Sequence, residues 1–368
     1  MAQFQLTISP NYIPNWGIKE ALRELFQNGI DCQNDDPSCE FHADYDPLRR
    51  RLILTNLNTV LHRKTLLLGE TSKDGVNTIG KYGEGYKLAL LVLVRAGMRI
   101  QIENGKELWT PRFMKSRVYE SELLVIDIAK HPDCGGLQYI IDGIIPDDYA
   151  AFKADCLMFH NLETLKGTPG RVILNPEFQG KVFCNGLYVC KIEKLKYGYD
   201  IHPKYMTLNR DRTYVSEFNL TWETSRIWSE QKDSKLIYEL TKAEANDVQY
   251  IQSHMNSGSD TYKEVSEMHY KDFLNTYGKK AVIVETDEQA KIIKAKYGEL
   301  VPVVKPTIIK EFITTSSTYS ILVPSLLDKE NISPTQWIEE WIEKHGLAKN
   351  DEYIEELLSE SENWKRRN

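Results

Sequence analysis

The chain has 368 residues, 41% of them hydrophobic, and a net charge of −7, which allows two or three folded domains and excludes a general electrostatic attraction to nucleic acid. Its longest apolar run, 88–94, is far too short to cross a bilayer, and no targeting segment is read at its start, so the expected compartment is the cytoplasm. The six cysteines (32, 39, 134, 156, 184 and 190) lack paired C-x-x-C spacing and read as reduced thiols rather than a zinc site, and the eight histidines form no His-Glu-x-x-His helix.

The first predicted element is a helix over 17–31. Leu22, Leu25, Phe26 and Ile30 recur at helical spacing and give it an apolar face that packs on a sheet. Glu24, Asn28 and Asp31 stand at i, i+4 and i+7 and share another face. Such a set is often only a solvated polar face. Asparagine, however, is a poor choice for an exposed helix interior, and Glu24 and Asp31 have no basic residue at i+4. A hairpin follows, roughly 38–45 and 50–56, with Arg49-Arg50-Arg51 read as a solvated turn. The segment 62–79 is polar, turns at Asp74-Gly75 and reads as a mobile lid.

Glycines 80, 83 and 85 then precede an apolar helix over 85–96. A glycine turn at a helix N-terminus brings backbone N–H groups and a positive dipole end close to a ligand, which suits phosphate, although such turns are as often structural. The spacing G-x-x-G-x-G is not the dinucleotide fingerprint, and no Gly-Lys-Ser/Thr follows. Strands are expected near 98–103, 107–113, 121–129 and 137–143, with Asn104-Gly105 turning the first pair. A short helix starts at Pro146, and a strand over 171–174 follows Gly167-Thr168.

Lys181 to Val189 reads as a hairpin turning at Asn185-Gly186. Beyond it lies a cluster of basic residues, Lys204, Arg210 and Arg212, which is equally a surface cluster forming its own ion pairs. Residues 214–276 are mostly helical, broken at 256–260. A strand at 281–285, a helix ending at Gly298 and a strand at 300–304 make a βαβ unit with no phosphate-binding glycine turn, read as a scaffold or partner surface. Two amphipathic helices end the chain, the first starting at Ser333-Pro334 with Trp337, Ile338, Trp341 and Ile342 on one stripe.

Taken together, these residues resemble the GHKL ATPases (gyrase B subunit, ninety-kilodalton heat-shock chaperones, MutL, histidine kinases). Glu24-x-x-x-Asn28-x-x-Asp31 resembles their N box, Gly80-x-x-Gly83-x-Gly85 their second glycine box, the segment 66–73 the region beside their lid, and Gly167-Thr168 their late Gly-Thr strand. The likeness covers about residues 10–175. One box departs from the pattern: Asn56 stands where the family has its base-binding aspartate, with Asn58 and Val60 in place of glycines, and a register shifted by one residue puts Thr55 there instead.

The resemblance implies an α+β chain. A Bergerat-type mixed sheet with helices on one face occupies 1–175, a transducer-like domain 176–276, a small α/β domain 277–330 and a helical tail 331–368. It implies ATP as ligand with Mg²⁺ held by Asn28, and Glu24 as the base that activates water. Asp31 supports the network, Asn56 and Thr168 lie at the adenine end, Gly80, Gly83 and Gly85 hold phosphates, and Lys73 or Lys87 adds charge. Lys204, Arg210 and Arg212 are the candidate sensors of the γ-phosphate. Nucleotide-driven conformational change or homodimerisation, with an unknown protein partner, is the implied output. The alternative is a nucleotide-gated scaffold that does not hydrolyse.

Overall fold

A computed structural model describes residues 2–67, 84–206, 216–284, 286–296, 298, 300–319 and a few positions near the C-terminus (338, 339, 341, 342, 354 and 357). Lys73, Gly80, Gly83, Arg210 and Arg212 lie outside the described residues, as does most of the expected C-terminal helical tail. The chain divides into two units, Met1–Met255 and Asn256–Asn368.

The first unit begins with β1 (Ala2–Gln5), α1 (Ile18–Asp35), β2 (Phe41–Asp46), β3 (Arg51–Leu57) and α2 (Gly85–Arg95). It continues through β4 (Arg99–Asn104), β5 (Glu107–Lys115), β6 (Glu122–Lys130), β7 (Gly136–Asp142) and α3 (Pro146–Lys153). The seven strands form one sheet in the order β1-β6-β5-β4-β7-β3-β2. Every neighbouring pair in it is antiparallel, where the sequence reading expected a mixed sheet. Three of these pairs, β2–β3, β4–β5 and β5–β6, join consecutive strands, and Gly105 takes φ +58° between β4 and β5, as the Asn-Gly pair predicts.

The helices cover one face of that sheet. Leu22, Leu25 and Phe26 of α1 and Leu90, Leu91 and Leu93 of α2 join Leu52, Leu54, Ile102, Trp109 and Ile126 in one core. Phe26 anchors it, with ring centroids 5.4 Å from Phe41, 4.4 Å from Phe152 and 5.9 Å from Phe159. The other face carries ion pairs across strands. Arg51 meets Asp142 at 2.7 Å and Arg112 meets Asp127 at 2.6 Å.

These pairs give the fold a pH dependence. Hydrogen bonds from arginine hold the carboxyls of Asp127 (Arg112), Asp142 (Arg51) and Glu107 (Arg63) below the usual carboxylate range. A carboxyl lowered in the folded state stabilises the fold above its unfolded value and loses that contribution as pH falls through its folded one. Urea melts are therefore expected to hold their midpoint between neutral pH and about 5 and to lose it steadily below about 4.

The chain then forms a second sheet from β8 (Thr164–Gly167), β9 (Gly170–Ile173), β10 (Lys181–Cys184), β11 (Leu187–Lys191) and β12 (Gly198–Ile201), in the order β11-β10-β12-β9-β8. Asn185 and Gly186 take φ +47° and +80° at the β10–β11 turn. The parallel pairing in this unit is here, between β10 and β12. Helices α4 (Glu217–Ser229) and α5 (Ser234–Lys242) follow, and α4 lies on β8 and β9: a side chain at Gly167 would crowd Ile227, whose atoms lie 3.0–3.3 Å from a built Cβ.

The second unit holds α6 (Asp260–Tyr277), β13 (Ala281–Val284), α7 (Asp287–Lys296), β14 (Val301–Val304) and α8 (Thr307–Thr315). Strands β13 and β14 pair in parallel across the α7 crossover, as the βαβ reading predicts. Tyr270 and Phe273 of α6 pack with Val282 and Ile313. Among the described residues no helix is long and apolar enough to cross a membrane.

Candidate functional site

Helix α1 carries its polar set inward. Glu24 is 2% exposed and Asp31 fully buried, while Asn28, one turn after Glu24, is half-buried. A carboxylate hidden in a helix interior is costly without compensation. Glu24 has Arg23 beside it, Nη2 to Oε1 at 3.5 Å, and the Arg23 guanidinium lies over Trp16.

The Glu24 carboxylate faces the start of α2. A side-chain carbon built on Gly85, the first residue of that helix, would sit 2.2 Å from Glu24 Oε2. The absent side chain at 85 is what lets the acid reach the end of the helix where N–H groups lack intrahelical partners. The structure thus joins two motifs that lie about sixty residues apart in the chain.

This contact opposes the usual effect of a mutation. In a helix, Gly→Ala ordinarily stabilises by up to about 1 kcal/mol. Gly85→Ala is expected to lose that gain in urea melts, because the Glu24 carboxylate must shift to admit the new methyl. Combined with Glu24→Ala, it should recover its ordinary helix-favouring effect. A stabilising single variant would show that the contact is loose.

Asn56 meets α1 at Gly29. It sits on β3 with 6% exposure, and its Nδ2 donates to the Gly29 carbonyl at 3.0 Å and the Cys39 carbonyl at 3.1 Å. An aspartate has no hydrogens for those two carbonyls, so asparagine suits this position. With both amide hydrogens used, the group Asn56 has left to offer is its acceptor, Oδ1. Gly29 is required on α1 because the Phe41 ring occupies the place of its side chain, 2.3 Å from a built Cβ.

Asn58, two residues after Asn56, also has a structural account. It takes φ +55°, a left-handed conformation that asparagine tolerates, and its Nδ2 bonds the Ser38 carbonyl at 3.0 Å. The loop after β3 is pinned by Asn104, which accepts from the Leu61 amide at 2.7 Å and donates to the Leu61 carbonyl at 2.9 Å.

Lys87 is fully buried, and its ammonium donates to the Leu67 carbonyl. Beside it, the Tyr86 hydroxyl donates to the Thr65 carbonyl at 2.9 Å, and burial pushes Tyr86 up to about 12. Together they tie residues 65–67 to the first turn of α2.

Two expected site residues lie on the second sheet instead. Thr168 occupies the exposed turn between β8 and β9, where its amide donates to Glu230 Oε2 at 2.9 Å. Lys204 is exposed just after β12, its ammonium 5.6 Å from the Tyr205 ring centroid. The strands that flank Asn56 are β2 and β7: Phe41 is registered opposite it on one side and Leu137 on the other. Gly136 is registered opposite Leu57, and Gln138 Nε2 donates to Thr55 Oγ1 at 3.0 Å. A side chain on Gly136 would strike the Asn56 carbonyl at 2.4 Å. The Gly135-Gly136 doublet before a strand is the sequence signal for this position, but only strand pairing places it beside Asn56.

The residues present fit a magnesium ion shared with a nucleotide better than a metal caged by protein. Among the described residues no group of three or more His, Cys, Asp or Glu is placed to hold a metal. Asn28 offers a hard amide oxygen, and Mg²⁺ typically takes one or two protein oxygens and completes its shell with phosphate and water.

Comparison with known proteins gives limited likeness. A sequence-family profile described as the Mycoplasma pneumoniae MPN635 N-terminal domain matches residues 147–234, which cover the second sheet and α4. A protein of Mycoplasma pneumoniae (strain ATCC 29342 / M129 / Subtype 1), described as "Uncharacterized protein", is 25% identical over 219 residues, 55% of this chain and 87% of its own length. Among solved structures, the ATPase region of Saccharomyces cerevisiae topoisomerase II bound to ICRF-187 (dexrazoxane) superposes with a TM-score of 0.34 at 10% identity, covering 47% of this chain. A second structure of the same ATPase region gives 0.34 and 10% over 46% of this chain. The chain spans 62% of the length of each of these solved ATPase regions.

Proposed function

We propose that the first unit binds Mg-ATP between α1, β3 and the N-terminus of α2, and hydrolyses it. The observation that carries this reading is the meeting of Glu24 with Gly85, which sets a buried acid against a helix N-terminus. A helix N-terminus favours phosphate, and an acid beside it is positioned to orient a water toward that phosphate and to take its proton at Oε. Asn28, one turn along α1, would hold Mg²⁺ together with the phosphates, and the bound ion would neutralise charge on the transferred phosphoryl group. Asp31 is buried behind them and supports the same helix face.

The base end is supported by Asn56. Its Nδ2 is fixed by two carbonyls, and Oδ1 is then an acceptor for an exocyclic amine, the role the family aspartate fills. Lys87 supports the approach to α2 through Leu67. Lys73, Gly80, Gly83, Arg210 and Arg212 complete the proposed phosphate environment from sequence, and Thr168 and Lys204 belong to it only if the second sheet closes on the nucleotide. Nucleotide-driven dimerisation is the output this reading assigns.

Calorimetry with ATP and Mg²⁺ tests the reading. Wild-type protein is expected to bind ATP more tightly with Mg²⁺ than in EDTA. Asn28→Ala is expected to lose that difference, with affinity reduced to the metal-free level. No ATP binding by the wild type under either condition refutes the reading.

A further inference from the structure

A cleft of about 470 Å³ opens at one side of the seven-stranded sheet, where β6 meets the chain that follows β1. Cavities of roughly 300–1,000 Å³ are the usual size for small-molecule sites. Asn56, on β3, belongs to the other side of the same sheet, so the cleft is no part of the base end proposed above. Its buried lining is apolar: Ile8, Leu88 of α2 and Leu123 of β6. Tyr12 and Tyr119 line it too and are 43% and 59% exposed. Thr7, Ser9 and Ser121 add hydroxyls. Among the described residues, the charged member of the lining is Glu84, at the N-cap of α2, and no lysine, arginine or histidine takes part.

Both walls of the cleft are fixed by hydrogen bonds. Arg95, half-buried at the end of α2, donates to the carbonyls of Pro10 at 2.9 Å, Tyr12 at 3.0 Å, Ile13 at 3.3 Å and Trp16 at 2.8 Å. One guanidinium thus holds the loop that carries Tyr12. Ile13 in that loop takes φ +47°, a left-handed conformation that is an outlier for a β-branched residue and persists only where its surroundings impose it. The other wall comes from the β5–β6 turn, where the Ser116 amide donates to the Ser121 carbonyl at 2.8 Å and Glu120 takes φ +50°. The two walls are joined where the Leu124 amide donates to the Ile8 carbonyl at 3.1 Å. A cleft held in this way loses little freedom when a ligand enters.

We propose that this cleft binds a small organic amine. The apolar body of such a ligand is seated on Ile8, Leu88 and Leu123, with Tyr12 and Tyr119 beside it, and its ammonium is directed to Glu84. Each part follows from the chemistry of the lining. Covering the three aliphatic side chains removes apolar surface from water. Aromatic faces attract cations, and a charge-assisted bond to a carboxylate favours an ammonium over a neutral hydroxyl. An anion meets no positive side chain there, which sets the cleft apart from a phosphate site. The proposal does not depend on nucleotide binding.

Three indoles that differ in charge test it: tryptamine, cationic at neutral pH, tryptophol, neutral, and indole-3-propionate, anionic. Each is titrated into the full chain at neutral pH and followed by saturation-transfer NMR. Tryptamine is expected to bind about tenfold more tightly than tryptophol, and indole-3-propionate more weakly than either. Glu84→Gln is expected to remove the preference for tryptamine while leaving tryptophol affinity unchanged. Tyr119→Ala, at an exposed position, is expected to weaken tryptamine and tryptophol together, and thermal melts establish that both variants are folded. Equal affinity for the three indoles in the wild type, or binding of none, overturns the proposal. So does a preference for tryptamine that survives Glu84→Gln, or tryptamine binding unchanged in Tyr119→Ala, since the net charge of −7 would then be attracting the cation elsewhere.

Discussion

Glu24→Gln is expected to leave ATP binding within a few-fold of wild type and to lower turnover by roughly 10²–10⁴-fold, the range a positioned general base contributes. Glutamine keeps the volume and most of the hydrogen-bonding capacity of the side chain at a position only 2% exposed, so the packing of α1 on α2 survives. What it loses is the ability to accept a proton. Glu24→Ala makes a less clean comparison, because it also takes the carboxylate from Arg23 at 3.5 Å. Steady-state hydrolysis and calorimetric binding, measured on the same preparation, separate the two effects. Turnover that survives in Glu24→Gln would remove this residue from the reaction and leave it as a partner for Arg23 and the α2 N-terminus.

Asp247→Ala is expected to destabilise the first unit by about 3–5 kcal/mol, the cost of breaking a buried polar network by removing its acceptor. Asp247 is fully buried and accepts from the Lys196 amide at 2.9 Å, the Tyr197 amide at 3.3 Å and the Tyr199 hydroxyl. The Tyr199 hydroxyl in turn accepts from Trp228 Nε1 at 2.8 Å, so one carboxyl ties β12 to α4. Alanine leaves these donors without an acceptor in a dry interior. Burial raises the Asp247 carboxyl, so its own linkage runs opposite to that of the sheet carboxyls: it favours the fold at low pH and loses that contribution as pH rises through its folded value. Urea melts of the variant near neutral pH check the magnitude. A loss below about 1 kcal/mol would mean that water replaces the carboxyl, as it does at exposed positions.

Much of the first unit was legible because its signals are local. Helix α1 follows from apolar spacing at Leu22, Leu25 and Phe26, and the two Asn-Gly turns mark hairpins where the backbone needs positive φ. The βαβ unit was readable from two short β-branched runs around a capped helix. The sheet was harder. Local patterning finds strands, but their order depends on which edges meet, and β7 joins between β3 and β4 by long-range pairing that no window of sequence contains.

Helical periodicity alone puts Glu24, Asn28 and Asp31 on one face, and the family resemblance is what marked that face as a candidate site. The glycine turn before an apolar helix located Gly85, and the resemblance located Asn56, with Thr55 as the alternative register. Only tertiary structure decided that Glu24 meets Gly85, that Asn56 spends its amide hydrogens on Gly29 and Cys39, and that β2 and β7 flank it. The physical reason is range. Periodicity and turn chemistry act over a few residues, whereas a buried carboxylate or amide finds its partner wherever packing brings one, and these partners lie 17 to some eighty residues away in the chain.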